Sequence, residues 1–434
     1  MFLSKKKPAA GKTAAVLLVV LFCYDARCGA DATPAEKPMF SEGSLNLKQA
    51  LAQTMIHNPE LAAFSEEIRA QEALALQAGL LPNPVLGANA ANFGNRAAKG
   101  FDGDVVTLEL SQLIELGGKR AARVEAAEAG RDVANRDYEI KRVTVLTRAA
   151  QAFIDVLGAQ NHAELARHSL QLAQKVVDTV GNQVRAGKVS PIEVTRVEVT
   201  LAATQSEALR AERELEAARK KLAAFWGGRG LTFTHVQGDL ETVKKLPPLQ
   251  SLNDRLRESP ELRRWASELA QQQARVQSEK AKAIPDLTVT LGGSNYLDRQ
   301  DYVVNVGISL PLPVFDRNQG NVQAAERRRG KTASEQEAAE VRLDTEVNAT
   351  YLTLDAIRAE VENYRLKILP AAESAFQAVQ KGYRLGKFAL LDVLDTQRTL
   401  FNAKGQYLSA LVAYHQGIAD LERLIGGSVN EDSK

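Results

Sequence analysis

Cysteine is nearly missing from this 434-residue chain, and the two that occur, Cys23 and Cys28, both fall in the first thirty positions. A chain that has shed that leader has no thiol for a disulfide or for a thiolate-bound metal. Long apolar runs are scarce too. After residue 30 no stretch approaches the roughly 18 uninterrupted apolar residues that a spanning helix needs. The mean hydropathy of -0.23 also argues against a polytopic helical membrane protein. Neither sign of charge dominates: the net charge of +2 is too small for a nucleic-acid footprint carried by the whole chain. Five histidines are present, His57, His162, His168, His235 and His415, and none stands in an HExxH spacing. No nucleophile elbow, phosphate loop or cysteine nucleophile is present, so the chain is expected not to be an enzyme and to carry no cofactor. The segment ELGGKR at 115–120 lacks the GxxxxGK[ST] spacing. Its glycines suit a bend where a strand runs into a helix.

The first residues have a separate character. Lys5, Lys6 and Lys7 precede an apolar run at 14–24, and Ala30 and Ala32 supply the small-x-small pattern of a cleavage site. This reads as a signal peptide over 1–32. The run is short for a membrane anchor, which is the competing reading. Leu21-Phe22 fits a lipoprotein box poorly, so a lipid on Cys23 is the lesser alternative.

The strongest positive feature is internal repetition. HNPEL at 57–61 matches SPELR at 259–263, with Pro59 and Pro260 201 residues apart. Pro84 and Pro285 keep the same offset. VVTLELSQLIELGGKRAARVEAAE from Val105 matches VVNVGISLPLPVFDRNQGNVQAAE from Val303, RAGKVSPIEV from Arg185 matches RLGKFALLDV from Arg384, and LAAFWGG from Leu222 matches LERLIGG from Leu421. These offsets are 198, 199 and 199 residues. A period of about 200 residues is far longer than a solenoid unit and describes a duplicated half-molecule.

Each half has the same plan. A helix is expected over 45–78 and again over 249–283, stopped by Pro82 and Pro84 or by Pro285, since proline cannot continue the hydrogen-bond ladder. Two strands follow in each half, over about 83–94 and 104–114 and over about 286–296 and 302–312. Val304, Val306, Ile308 and Leu310 alternate with Asn305, Gly307 and Ser309, and Val106, Leu108 and Leu110 alternate with Thr107, Glu109 and Ser111. Period two gives one apolar and one polar face, and about ten residues suit a tilted transmembrane strand. A very long helix comes next, over about 119–180, followed by a turn at Gly187 and a second helix from about 191 to 225. The second half repeats this with a turn at Gly386. Alanine-rich helices of this length pack closely and cannot fold into a compact core. The expected divisions are a linker at 33–44, a first repeat at 45–228, a linker at 229–248, a second repeat at 249–427 and a tail at 428–434.

Four amphipathic strands per chain cannot close a barrel, since bacterial barrels begin at about eight strands. An open edge is not tolerated in lipid. Copies must therefore pool strands, and both a dimer with eight and a trimer with twelve satisfy that demand.

A duplicated chain of this kind with a signal peptide resembles the TolC-type outer-membrane factors over about residues 45–427. The sharpest resemblance lies in GKFALLDVLDTQ at 386–397, its echo GKVSPIEV at 187–194, LIELGGKR at 113–120 and LPLPVFDRNQG at 310–320. These segments look most like the branch serving cobalt–zinc–cadmium pumps. The resemblance implies a mainly α fold with a transmembrane β part: a homotrimer whose twelve-stranded barrel continues into a periplasmic barrel of helices. It implies an outer-membrane efflux duct that works with a periplasmic adaptor (membrane fusion protein) and an inner-membrane RND pump, with outer-membrane lipid around it and no nucleic acid. Alternatives are a duct of the same fold for protein secretion or drug efflux, and a periplasmic coiled-coil adaptor without a pore. No lipoyl-like β segment supports the last.

By the same resemblance, Asp392 and Asp395 line the periplasmic entrance as rings of carboxylates. Lying three apart, they share a helical face, though acidic residues also suit any helix start. Tyr383 and Glu193 match residues that join neighbouring hairpins at the tip. The family's basic residue two positions after the turn glycine is Phe388 here, so either Arg384 or Lys387 supplies that charge or the link is absent. Gly187 and Gly386, with Lys188 and Lys387 beside them, form the expected adaptor-facing turns. Exposed lysines near helix ends are also common without any partner.

Overall fold

The structure, a computed structural model, describes residues 43–91, 105–228, 233–297 and 300–429. The expected leader with its two cysteines, nearly all of the 33–44 linker, the far end of the first strand pair and most of the C-terminal tail lie outside the described residues. The first repeat runs through β1 (Gly43–Asn46), α1 (Leu47–His57), α2 (Pro59–Ala78), β2 (Val85–Ala91), β3 (Val105–Ile114), α3 (Lys119–Arg185) and α4 (Ile192–Ala223). The second runs through β4 (Phe233–Gln237), α5 (Leu249–Leu256), α6 (Pro260–Lys282), β5 (Leu287–Tyr296), β6 (Asp301–Ser309), α7 (Gln319–Asn363), α8 (Leu369–Arg384) and α9 (Leu390–Ile425).

The opening helix expected in each half is in fact two. Asn58 accepts hydrogen bonds from the Glu60 and Leu61 N–H groups and caps α2, with Pro59 as its first residue. Ser259 caps α6 in the same way ahead of Pro260. The NPEL and SPEL motifs are therefore helix-starting devices: a capping side chain satisfies an orphan N–H, and proline costs nothing at the first position. Asn58 also ties the ends of its repeat together, donating from Nδ2 to the Phe225 carbonyl at 2.8 Å.

The 67 residues of α3 span about 100 Å at 1.5 Å per residue. Its counterpart in the second repeat is not continuous. A π turn over Tyr364–Ile368 separates α7 from α8. Pro370 sits just inside α8, where its missing N–H would break an ordinary α ladder, and the wider turn absorbs that defect. α3 packs against both α4 and α9. It crosses α9 so closely at Gly158 that a Cβ there would meet Val412 Cγ2 at 2.5 Å.

Each linker contributes a strand among the described residues. β1, at the end of the first, pairs in parallel with β4, inside the second. Residues beyond β4 strap across α9: Tyr407 Oη donates to Glu241, Tyr414 Oη donates to the Lys244 carbonyl, and a His415 ring nitrogen lies 2.9 Å from the Leu240 carbonyl. Burial and the Glu241 carboxylate push the Tyr407 phenol up to about 12, so it remains a donor. Phe153, Val156, Leu222, Phe233, Val236 and Leu411 form the apolar core beneath this strap.

The remaining strands form one antiparallel sheet in the order β2-β3-β5-β6. The two hairpins join through β3 and β5, so one sheet contains both repeats. β6 stops at Ser309, short of the expected residue 312, because Pro311 and Pro313 lack the N–H a ladder needs.

Candidate functional site

Register converts the strand alternation into two complete faces. Leu110 pairs with Leu86 and Leu291, and Leu291 with Val306; Leu108 stands opposite Ala88 and Gly293, and Val289 opposite Ile308. Directly opposed residues point the same way, so these positions form one continuous apolar face. Leu110, Leu291, Val304, Val306 and Ile308 are all exposed on it. The other face is mainly polar and bonded to itself, with Val85, Val105, Leu113 and Val303 among its apolar members. Thr107 Oγ1 lies 2.8 Å from Ser294 Oγ, Ser111 Oγ lies 3.1 Å from Thr290 Oγ1, and Asn305 Nδ2 donates to Ser294 Oγ at 2.7 Å. Within the described residues β2 and β6 each pair on one side only, leaving two open edges.

The passage from sheet to long helix is rigid. Gly117 and Gly118 have φ of +67° and +70°, a left-handed pair that few other residues tolerate. At Gly117 a Cβ would also strike Ile284 Cδ1 at 2.6 Å. Asn318 takes the left-handed position ahead of α7, a conformation its short polar side chain permits. Asn318 Nδ2 donates to both the Glu279 carbonyl and carboxylate at 2.8 Å. Lys119 Nζ pairs with Asp286 at 2.7 Å, and the Leu116 N–H donates to the same carboxylate. Arg123 forks onto Glu115 and also donates to the Ala78 and Leu80 carbonyls. The hydrogen bond from Arg123 holds the Glu115 carboxyl below its usual range. Burial opposes ionisation of Asp286, but the bonds from Lys119 and the Leu116 N–H, with the charges of Lys119 and Arg123, together outweigh it and the carboxyl is also held low.

At the opposite end of α3 and α8 the two turns are built alike. Gly187 and Gly386 have φ of +67° and +72°. Their N–H groups donate to Val184 and Tyr383 carbonyls, while those of Lys188 and Lys387 donate to Gln183 and Gly382 carbonyls, all at 2.9 Å. This is a Schellman closure in both repeats, and positive φ alone accounts for glycine, since nothing stands within 4 Å of either Cβ position. Lys188 and Lys387 are exposed beyond the helix ends.

The structure brings part of the expected tip set together. Tyr383 Oη donates to Gln183 Oε1 at 2.7 Å, which joins the tip of the second repeat to that of the first. Burial and the nearby Glu193 carboxylate push the Tyr383 phenol above its ordinary value. Glu193 itself pairs with Arg196 at 3.1 Å. Val180, Val197 and Leu390 form a buried knot between the same hairpins, with Tyr383 against it. Arg384 is exposed and makes no ion pair among the described residues. Phe388 folds over Gly382, where a Cβ would meet its ring at 2.2 Å.

The two aspartates have distinct surroundings. Asp392 Oδ2 accepts from the Ala389 N–H at 2.9 Å and caps α9. Asp395 pairs with Arg398 at 2.7 Å and lines a groove of about 730 Å³ between α3, α4 and α9. Two partners had no signal in the motif: Gln183 lies 200 residues from Tyr383, and Arg398 is an ordinary i,i+3 basic residue. Among the described residues no three acidic, histidine or cysteine side chains gather into a metal site, and no helix is long and apolar enough to cross a membrane.

The outer membrane efflux protein family matches this chain twice, over residues 50–228 and 252–427, one match for each repeat. The cobalt-zinc-cadmium resistance protein CzcC of Cupriavidus metallidurans is 33% identical over 90% of this chain and 92% of its own length. The nickel-cobalt-cadmium resistance protein NccC of Alcaligenes xylosoxydans xylosoxydans is 27% identical over 72% of this chain and 67% of its own. Among solved structures, CusC superposes with a TM-score of 0.76 at 18% identity, covering 88% of this chain and 92% of that one. Apolar sheet face, open sheet edges, long helices and duplicated plan all agree with these matches, and the chain belongs to the outer membrane efflux protein family, as an outer-membrane channel subunit.

Proposed function

We propose that three copies of this chain form the outer-membrane duct of a tripartite pump for heavy-metal cations. The observation that carries this reading is a sheet with an apolar outer face and two edges open among the described residues, joined rigidly to the long helices, of which α3 spans about 100 Å. Lipid does not tolerate open edges, so β6 of one copy pairs with β2 of the next, and twelve strands close the barrel. The helices continue the duct through the periplasm to an adaptor and an inner-membrane RND pump, which supply cargo and energy. Support for metal as cargo is the likeness to CzcC and NccC. The test is retention of zinc, cobalt and cadmium, beside dyes and antibiotics, in a strain lacking the gene. Selective retention of the divalent metals, reversed by complementation, is expected. Retention of organic compounds alone, or of exported proteins, overturns the metal assignment and leaves the duct.

The closed entrance in this reading lies at the tip. Gly187, Lys188, Gly386 and Lys387 face the adaptor. Asp392 and Asp395 form the acidic rings, and Tyr383, Glu193 and Arg384 act as gating contacts. Because Asp395 is paired with Arg398 while Asp392 Oδ1 is free to face cations, Asp392 carries more of the ring's field. Asp392→Asn keeps an acceptor for the Ala389 N–H and removes the charge. In planar bilayers at low salt it is expected to weaken block by periplasmic-side divalent cations about tenfold, and Asp395→Asn by about threefold. Block unchanged in both variants rules out the ring.

A further inference from the structure

On the polar face of the sheet one carboxylate stands apart. Glu109 occupies the middle of β3, five residues from one end of the strand and four from the other. Asp301, the other acidic residue among the described strand residues, begins β6 at the edge of the sheet. Glu109 has no hydrogen bond or ion pair with any described residue; Thr107, Ser111, Thr290 and Ser294 surround it on that face, with Val85 diagonally across on β2. Directly across on either side are glycines, Gly87 on β2 and Gly292 on β5. Neither glycine has a positive φ, so turn geometry does not call for them. Space does: a Cβ at Gly87 would lie 3.1 Å from Glu109 Cγ, and one at Gly292 would lie 3.1 Å from Glu109 Cβ and 2.9 Å from the Leu108 carbonyl. The pair of glycines leaves the carboxylate unobstructed.

An unpaired charge at mid-strand is tolerable only where water reaches it, which places Glu109 toward the lumen of the closed barrel. We infer that Glu109 is a specificity-determining residue of the transmembrane barrel: one carboxylate from each copy makes a ring of fixed negative charge that favours cations over anions in the last segment of the duct. This rests on the trimeric-barrel reading above. A twelve-stranded barrel is too wide for three such groups to share one ion, so the ring acts through its field and its influence fades with the screening length, about 30 Å at 0.01 M salt and 10 Å at 0.1 M.

The experiment is a charge series at this position, Glu109→Asp, Glu109→Gln and Glu109→Lys, in channels of the full chain in planar bilayers. Reversal potentials under a potassium chloride gradient give the cation-to-anion permeability ratio, and Mg²⁺ is added on the barrel side and on the helical side in turn. Glu109→Asp should behave as the parent. In Glu109→Gln the ratio should fall about threefold at low salt, and the effect of Mg²⁺ from the barrel side should vanish while that from the helical side persists; Glu109→Lys should favour anions. Selectivity and barrel-side Mg²⁺ sensitivity identical across the series overturn the inference and leave the duct standing, whereas absence of any conductance in the parent chain strikes the duct itself. If Glu109→Gln yields too little channel, Glu109→Asp against Glu109→Lys decides the same question.

Discussion

Leu110→Arg is expected to abolish assembly of the channel in the outer membrane, while Thr290→Lys, one row away on the opposite face, is expected to leave it largely intact. Leu110 lies on the apolar face between Leu86 and Leu291 and is 49% exposed in the single chain. In the closed barrel that exposure is to lipid. An arginine at the midplane of a lipid-facing strand costs about 2–4 kcal/mol. Three copies bring the penalty to roughly 6–12 kcal/mol, comparable with the entire stability of many folded proteins. Thr290 points to the polar side, where its hydroxyl meets Ser111. Its replacement by lysine forfeits a bond worth about 1 kcal/mol and places the ammonium in water. The measurement is the amount of heat-resistant trimer in outer-membrane fractions. Trimer lost in Thr290→Lys and kept in Leu110→Arg would mean that the faces are assigned the wrong way round, and equal amounts for both variants would mean that the strands do not meet lipid.

Arg123→Ala is the second large effect. One guanidinium holds Glu115 and the carbonyls of Ala78 and Leu80, and so clamps the end of α2, the exit of β3 and the first turns of α3. Its removal leaves the Glu115 side chain, only 11% exposed, without a partner. Arg123 is 39% exposed, so solvent screens part of the loss, and about 2 kcal/mol per copy is expected. Lysine should restore less than half, because it cannot fork onto a carboxylate and reach two carbonyls as well. The pH dependence has a definite sign. Glu115 is held below its ordinary value of 4.5 by Arg123. Its contribution is therefore complete above that value and is lost as pH falls through the depressed folded value. The parent trimer should dissociate at lower temperature on acidification below about pH 4.5, and part of that dependence should be missing in Arg123→Ala. An identical acid profile in the two proteins would mean that this pair does not hold the junction.

Periodicity and repetition made most of the architecture legible without coordinates. Val304, Val306 and Ile308 alternate with Asn305, Gly307 and Ser309, and a period of two has one structural meaning. The 119–185 stretch has no proline, so nothing in it ends a helix. Five ordered matches at a nearly constant offset make the two halves copies of one plan. Gly117 and Gly118 were readable as a bend because glycine is the usual answer to a left-handed backbone.

Other features needed the folded chain. The NPEL and SPEL motifs were visible as repeats but not as helix starts, since capping depends on which side chain turns back onto the backbone. The pairing of β1 with β4 joins segments about 190 residues apart, and no local pattern in either short strand names its partner. Tyr383 was recognisable as a tip residue, yet its bond to Gln183 comes from packing one repeat against the other. The isolation of Glu109 has the same origin: alternation assigns the residue to the polar face, and only register sets Gly87 and Gly292 on either side of it. Sequence by itself determined the elements, their length and their duplication, because those follow from local sterics and hydropathy. Tertiary structure decided which faces, edges and side chains meet, because a contact between distant segments depends on the register of both.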